Sequence, residues 1–163
     1  MQRDPVGHIL MDTLPLDVNS IVSEELTKEE RRNPKSFSSG AKIGHIHLRV
    51  TDLERSVKFY HEKLGLEVTL NLVSMGAAFL SAGGYHHHIG LNTWNSLNGK
   101  PRTQDEAGLG YFTITTPSIN TIKSLVYDSA TPEQQKKLKS EVNENQLLIN
   151  DPDGIGILIK KSE

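Results

Sequence analysis

Seven histidines and no cysteine are the most chemically informative feature of this 163-residue sequence. Five of the histidines lie in two short runs, His45-Ile46-His47 and His86-His87-His88. Imidazole carries protons near neutral pH and binds iron, zinc and nickel, so these runs are suited to proton transfer or to metal binding. The lack of cysteine excludes disulfides, thiol nucleophiles and thiolate metal sites, and it favours a reducing, cytoplasmic compartment.

Residues 43–50 position the first run of histidines. Aliphatic and polar side chains alternate along them, which is the pattern of a strand with one buried and one polar face. The polar face carries His45, His47 and Arg49. A guanidinium in a partly buried place needs an anion, either an internal carboxylate or a substrate oxygen.

Residues 85–94 are predicted to position the second run, as another alternating strand. Its polar face carries His86, His88, Gly90, Asn92 and Trp94. The opposite, aliphatic face carries His87, which is therefore predicted to be a packed or capping histidine.

The elements between these strands complete one module. Thr51 and Glu54 form a predicted capping box for a helix that ends at Gly65. Strands are predicted over 67–73 and 77–81, so the order is strand, helix, strand, strand, strand.

A weaker copy of the same order follows. It begins with a strand over 110–116 that carries Tyr111, then has a helix capped by Ser118 and strands over 146–149 and 155–161. A charged helical insertion is predicted from Thr131 to Val142. The fold class is therefore α+β: two βαβββ modules, about 43–100 and 108–161, with curved mixed sheets around a concave cavity and helices outside. This domain, 43–163, follows a connector, 1–42, with one short docked segment and a solvated charged run.

The polar faces of the sheets either meet water on an open surface or line a shared cavity, because burying them without partners would be costly. The cavity interpretation predicts binding of a small oxygen-rich or aromatic molecule. Trp94 and Tyr111 would stack on an aromatic ring, although Trp94 is equally suited to closing the end of a barrel. Asn92 would orient a hydroxyl group. The predicted substrate-binding residues are His47, Arg49, His86, Asn92, Trp94 and Tyr111.

Charge favours neither nucleic acid nor a membrane surface as a partner. Eighteen basic and 20 acidic residues give a formal net charge of −2. No basic patch of the kind that binds phosphates is apparent, and no stretch approaches membrane-spanning length.

Several motifs in this order resemble the vicinal-oxygen-chelate superfamily of glyoxalases, bleomycin-resistance proteins and extradiol dioxygenases. They are Gly44-His45-Ile46-His47-Leu48-Arg49-Val50, Ser56-Val57-Lys58-Phe59-Tyr60, Leu64-Gly65-Leu66-Glu67-Val68 and Asp151-Pro152-Asp153-Gly154. The run from Ser81 to Trp94 is similar to that of bacterial catechol-2,3-dioxygenase-like proteins, which join two such two-module units. The resemblance implies that this chain is the carboxy-terminal half of a longer product, partnered by an upstream half or by a second copy.

The resemblance also implies four metal-ligand positions, two in each module. They fall on His45, Gly90, Tyr111 and Leu158, of which only His45 is a good ligand. Because a catalytic metal site typically needs about three protein ligands, the family site is expected to be degraded in this half. A rearranged site from His45, His47, His86 and His88 is disfavoured, since residues two apart on a strand are separated by roughly 6.6 Å.

Two functions follow from the resemblance. The first is ring cleavage of aromatic diols with a divalent metal, expected to be iron(II), while His88 handles protons. The second is a metal-free binding or scaffolding unit that supports a catalytic first half. A glyoxalase is disfavoured, because Gly90 and Leu158 supply no metal-bound carboxylate base.

Overall fold

A computed structural model describes residues 5, 15–33, 41–100, 103, 105–128, 130–133, 135 and 142–162. The chain divides into two compact units, Met1–Gly44 and His45–Glu163. In the first unit the described residues form two short helices, α1 (Val18–Glu25) and α2 (Lys28–Arg32). The side chain of Thr27 caps α2, and no residue of either helix is buried, so the predicted charged run is a solvated helix.

The second unit begins with a complete βαβββ module. Its elements are β1 (Ile46–Arg49), α3 (Leu53–Glu62), β2 (Glu67–Leu72), a 3-10 turn (Val73–Met75), β3 (Ala77–Ser81) and β4 (Ile89–Asn92). The sheet order is β1-β4-β3-β2, with β1 parallel to β4 and the other pairs antiparallel. Helix α3 packs on β2, β3 and β4.

The second module repeats this arrangement. Its elements are β5 (Tyr111–Thr116), α4 (Ile119–Asp128), β6 (Val142–Asn143), β7 (Gln146–Asn150) and β8 (Gly156–Lys161). The sheet order is β5-β8-β7-β6. As in the first module, the first and last strands along the chain, β5 and β8, are parallel neighbours, and the other pairs are antiparallel. The predicted α+β class with two mixed sheets is confirmed, and both sheets are open.

A single hydrophobic core runs through both modules. It includes Leu48, Tyr60 and Leu91 from the first module and Ile157 and Ile159 from the second. Along β1 the predicted alternation holds, since Leu48 is buried while His47 and Arg49 are exposed. The polar side chains of β1 therefore lie on the face away from the core.

The predicted capping box of α3 is wrong in its residue. Asp52, not Thr51, caps the helix, and its carboxylate accepts a hydrogen bond from Arg55 N at 3.0 Å. Thr51 instead donates through both its backbone N–H and its hydroxyl to Asp153 of the second module. The Thr51 hydroxyl, which was predicted to cap the helix, is therefore bonded to Asp153, a residue distant in the chain.

The predicted helical insertion also needs a correction at its end. Val142 belongs to β6, because the Asn143 side chain accepts hydrogen bonds from Asn145 N and Gln146 N and so forms the turn of a β6–β7 hairpin. The start of the insertion has one helical hydrogen bond, from Gln135 N to Thr131 O at 2.8 Å. Residues 136–141 lie outside the described residues.

The helices of the described residues are short. None of them is both long enough and apolar enough to cross a bilayer.

Candidate functional site

The histidine runs meet because the strands that follow them are parallel neighbours. Ile46 pairs with Ile89, and Ile46 N donates to His88 O at 2.9 Å. The residues just before β1 and just before β4 therefore lie at the same end of the first sheet.

The segment before β4 is a loop, which corrects the predicted strand over 85–94. The strand begins only at Ile89. Gly83 and Gly84 have φ values of 64° and 73°, which other residues rarely adopt, so they turn the chain sharply. Thr69, at an irregularity in the β2–β3 register, donates its hydroxyl to His86 O at 2.7 Å and so anchors the loop.

This loop brings two histidines, His86 and His87, close to His45, which directly precedes β1. One ring nitrogen each from His45, His86 and His87 lies within 4.8 Å of the others. The ring centroids are separated by 4.6 Å (His45–His87), 4.4 Å (His86–His87) and 5.9 Å (His45–His86). These three residues are called the histidine cluster below.

His87 belongs to this cluster, so its predicted place on the aliphatic face is wrong. Its Nε2 lies 3.1 Å from Nε2 of His47, within hydrogen-bond distance, and its ring is tilted against Phe79 with centroids 4.9 Å apart. His87 is only 8% exposed. The residues that flank it in the loop are not in a strand, so the alternation that assigned its direction does not apply.

Burial favours the neutral form of two of these imidazoles, His87 and the adjacent His47. Burial, followed by the charges of His86 and the neighbouring histidines, lowers the pKa of His87 to about 4. Burial also lowers the pKa of His47, with a further contribution from His45. Neutral imidazoles have a free nitrogen lone pair at pH 7, which is the form that binds metals.

His88 points to a different partner from the cluster. Its Nδ1 lies 2.8 Å from the hydroxyl of buried Ser81, and Ala82 N donates to the same nitrogen at 3.3 Å. Because an N–H donates to Nδ1, the proton of neutral His88 is on Nε2. Burial and the charge of His86 lower the pKa of His88.

The family ligand position at Gly90 is covered by His47. A Cβ built on Gly90 would lie 2.8 Å from the His47 ring, which is closer than real Cβ atoms approach. A larger residue at 90 would displace this imidazole. The family ligand position at Leu158 lies in the middle of β8, paired with Thr113 of β5 and Leu148 of β7. Its side chain has no atom that could bind a metal.

The other predicted site residues are spread more widely. Arg49 is exposed at the far end of β1, about 13 Å along the strand from His45. In the parallel β1–β4 register it lies opposite Asn92, which is buried. Trp94 is 66% exposed, and its indole N–H donates to Met75 O at 3.0 Å. Tyr111 is exposed at the start of β5, next to Gly156. The structure thus places His86 in the cluster and His47 beside it, and it places Arg49, Asn92 and Trp94 at the opposite end of the same two strands.

Sequence reasoning missed His87 as a site residue. The signal was present, because two consecutive glycines directly before Tyr85 are typical of a turn, and a turn interrupts the period-two pattern. A run of three histidines in a loop can direct two adjacent rings to one point, which a strand cannot.

Comparison with known proteins agrees with this geometry. The family model of the glyoxalase/bleomycin resistance protein/dioxygenase superfamily matches residues 42–159. This chain belongs to that superfamily. Its paired βαβββ modules are the family's architecture, and the predicted resemblance is confirmed.

One curated relative and two solved structures illustrate the range of this superfamily. The chain is 36% identical over 149 residues to catechol-2,3-dioxygenase of Bacillus subtilis (strain 168), covering 87% of this chain and 51% of that protein. The chain therefore spans about half the length of this relative. A glyoxalase/dioxygenase from Nostoc punctiforme shares the fold with a TM-score of 0.54 and 18% identity, covering 79% of this chain and 97% of the other. A lactoylglutathione lyase from Agrobacterium tumefaciens does so with a TM-score of 0.51 and 17% identity, covering 77% and 96%.

Proposed function

We propose that this superfamily member is half of a protein that binds aromatic diols and cleaves their ring with dioxygen and a divalent metal, iron(II). The observation that carries this proposal is the 36% identity to a catechol-2,3-dioxygenase over most of this chain. The remainder of the active protein would be an upstream half or a second copy of the chain, in the cytoplasm.

The two ends of the β1–β4 strand pair supply groups suited to such a substrate. At one end, His86 of the cluster and the adjacent His47 offer ring nitrogens. At the other end, about 13 Å along the strand, Arg49 is exposed and makes no ion pair with a carboxylate of the described residues. At this distance the guanidinium does not reach diol oxygens held at His45, so Arg49 is proposed to bind an anionic substituent of a larger diol. Asn92, Trp94 and Tyr111 complete the proposed substrate-binding set.

His88 is proposed to carry the proton. Its Nδ1 is held by Ser81 and Ala82, so the exchangeable proton is on Nε2. With the Nδ1 lone pair already occupied, neutral His88 is proposed to present its Nε2–H to a substrate oxygen as a hydrogen-bond donor.

The metal cannot be held by the family ligand set alone. Of its four positions in this chain, Gly90 and Leu158 have no donor and Gly90 is covered by the His47 ring. His45 does fit, because its imidazole lies beside two others. When bound, iron(II) would chelate two neighbouring oxygens of the substrate and bring dioxygen next to it.

A metal-free binding or scaffolding unit is the second candidate function. What supports it is the side chains at two of the expected family ligand positions, since Gly90 and Leu158 have no metal-binding atom. Such a unit would bind an aromatic diol without consuming oxygen.

The experiment is an oxygen-uptake assay on the full chain with catechol. The chain is first loaded anaerobically with iron(II), or left without it, and the assay itself is run in oxygenated buffer. Ring cleavage predicts equimolar loss of catechol and dioxygen that depends on iron. His45→Gln should abolish this loss, whereas Lys58→Gln, which removes an exposed cation on α3, should leave it unchanged. Catechol binding without oxygen uptake would favour the scaffolding unit. A chain that neither binds catechol nor consumes dioxygen would contradict both candidate functions.

A further inference from the structure

The His87 ring has one nitrogen with a partner and one without. Nε2 contacts Nε2 of His47 at 3.1 Å, whereas Nδ1 is buried and has no hydrogen-bond partner among the described residues. Leaving a buried polar atom without a partner is unfavourable. An unpaired nitrogen on a side chain that is only 8% exposed therefore needs a ligand to account for it.

The two neighbouring imidazoles are in place to share that ligand. His45 and His86 each bring a ring nitrogen within 4.8 Å of one on His87. Nitrogens that bind one metal at about 2.1 Å lie roughly 3–4 Å apart, so a small rotation closes the cluster. His45 is exposed and His86 is half-buried, so their side chains have room for this rotation, while His87 is fixed by its neighbours.

His47 is arranged as the outer partner of such a site. Metal-binding histidines almost always donate their second N–H to an acceptor, which fixes the tautomer and orients the ring. With Nδ1 of His87 on the metal, its Nε2–H donates to Nε2 of His47. The glycine at position 90 is what allows His47 to lie there.

We infer that His45, His86 and His87 bind one divalent transition-metal ion through three imidazole nitrogens, with His47 as the positioning residue for His87. This site replaces the family ligand set, of which it keeps only His45. Three neutral nitrogen ligands suit iron(II), cobalt(II), nickel(II) or zinc(II) and leave coordination positions open for a small molecule. The choice of iron(II) as the resident metal rests on the proposed function, whereas the ligand set does not.

The test is a titration of the full chain, prepared without a polyhistidine tag, with cobalt(II) followed by visible absorption and equilibrium dialysis. One equivalent is expected to bind. His45→Gln, His86→Gln and His87→Gln are each expected to weaken binding by at least about 100-fold, and His47→Ala by about 10- to 100-fold with an unchanged cobalt spectrum. His61→Gln, which removes an exposed histidine of α3, is the matched control and should bind as the wild type does.

Two results would overturn the inference: no stoichiometric binding by the wild type, or wild-type affinity in the three glutamine variants. If His87→Gln fails to fold, as judged by circular dichroism, the exposed or half-buried positions His45 and His86 still decide the question. Because the readout is metal binding, a loaded chain that consumes no oxygen would contradict the proposed function and leave the ligand set standing.

Discussion

The imidazole of His47 lies against Gly90, so close that a Cβ there would come within 2.8 Å of the ring. The two residues are direct partners in the parallel β1–β4 register. The glycine at 90 is therefore explained by the close approach of this side chain.

Gly90→Ala is expected to lower the free energy of unfolding by about 1–3 kcal/mol, because the added methyl forces the His47 ring to move within a packed region. Gly110→Ala is the control, since a Cβ at Gly110 meets nothing within 4 Å. Urea denaturation of both variants measures the difference. Equal stabilities would mean that His47 does not need the space above Gly90.

The joint between the two modules is expected to depend on Asp153 far more than on its cationic partner. Buried Asp153 accepts hydrogen bonds from Thr51, Arg55 and Ser56, the last at 3.2 Å. Asp153→Asn should lower the free energy of unfolding by about 2–4 kcal/mol, because an amide replaces an acceptor among buried donors.

Arg55→Ala, removing a side chain that is 45% exposed, should cost no more than about 1 kcal/mol. Urea unfolding measures both changes. A larger loss for Arg55→Ala than for Asp153→Asn would contradict this account of the joint.

Stability at mildly acidic pH should depend on Asp151. Burial raises the pKa of this carboxyl, opposed by hydrogen bonds from Ile155 N, the Tyr60 hydroxyl at 2.9 Å and Asp153 N. The folded state then binds the proton more tightly than the unfolded state, so the free energy of unfolding decreases as pH rises from about 3.8 through the raised value.

Asp151→Asn should remove this part of the pH dependence. The measurement is the difference between wild-type and variant unfolding free energies across that pH range. A difference that stays constant with pH, or that changes in the opposite direction, would contradict the raised pKa.

Thr69 is expected to affect metal binding by the histidine cluster, although it is not one of the proposed ligands. Its hydroxyl is within hydrogen-bond distance of both Phe79 O and His86 O, which ties the histidine loop to β3. Thr69→Val keeps the volume and removes the hydroxyl, so we expect a loss of about 1 kcal/mol in unfolding free energy and weaker cobalt binding. Thr113→Val, on the exposed face of β5, is the control for both measurements.

Most of the architecture could be predicted from local patterns. Residues 46–49 alternate because one face of β1 meets the core, and the same rule identified β5 and β8. The Asp151-Pro152-Asp153-Gly154 turn was likewise readable from its residue types, and Gly154 has the positive φ that such a turn needs.

The direction of the second histidine run could not be predicted in the same way. Strict alternation sends His86 and His88 to one face and His87 to the other, but that rule holds only where ladder hydrogen bonds continue the strand. Here the ladder hydrogen bonds extend only to His88, because the double-glycine turn and the Thr69 hydrogen bond hold the preceding residues in a loop. His87 therefore joins His45, while the His88 ring contacts Ser81.

The sequence by itself determined the two modules, the faces of their regular strands and the presence of His45 and His47 at one sheet end. Only the tertiary structure decided which other imidazoles join them and that Thr51 binds Asp153 across the modules. The physical reason is that strand periodicity is local, whereas the direction of a loop side chain is set by contacts with residues distant in the chain.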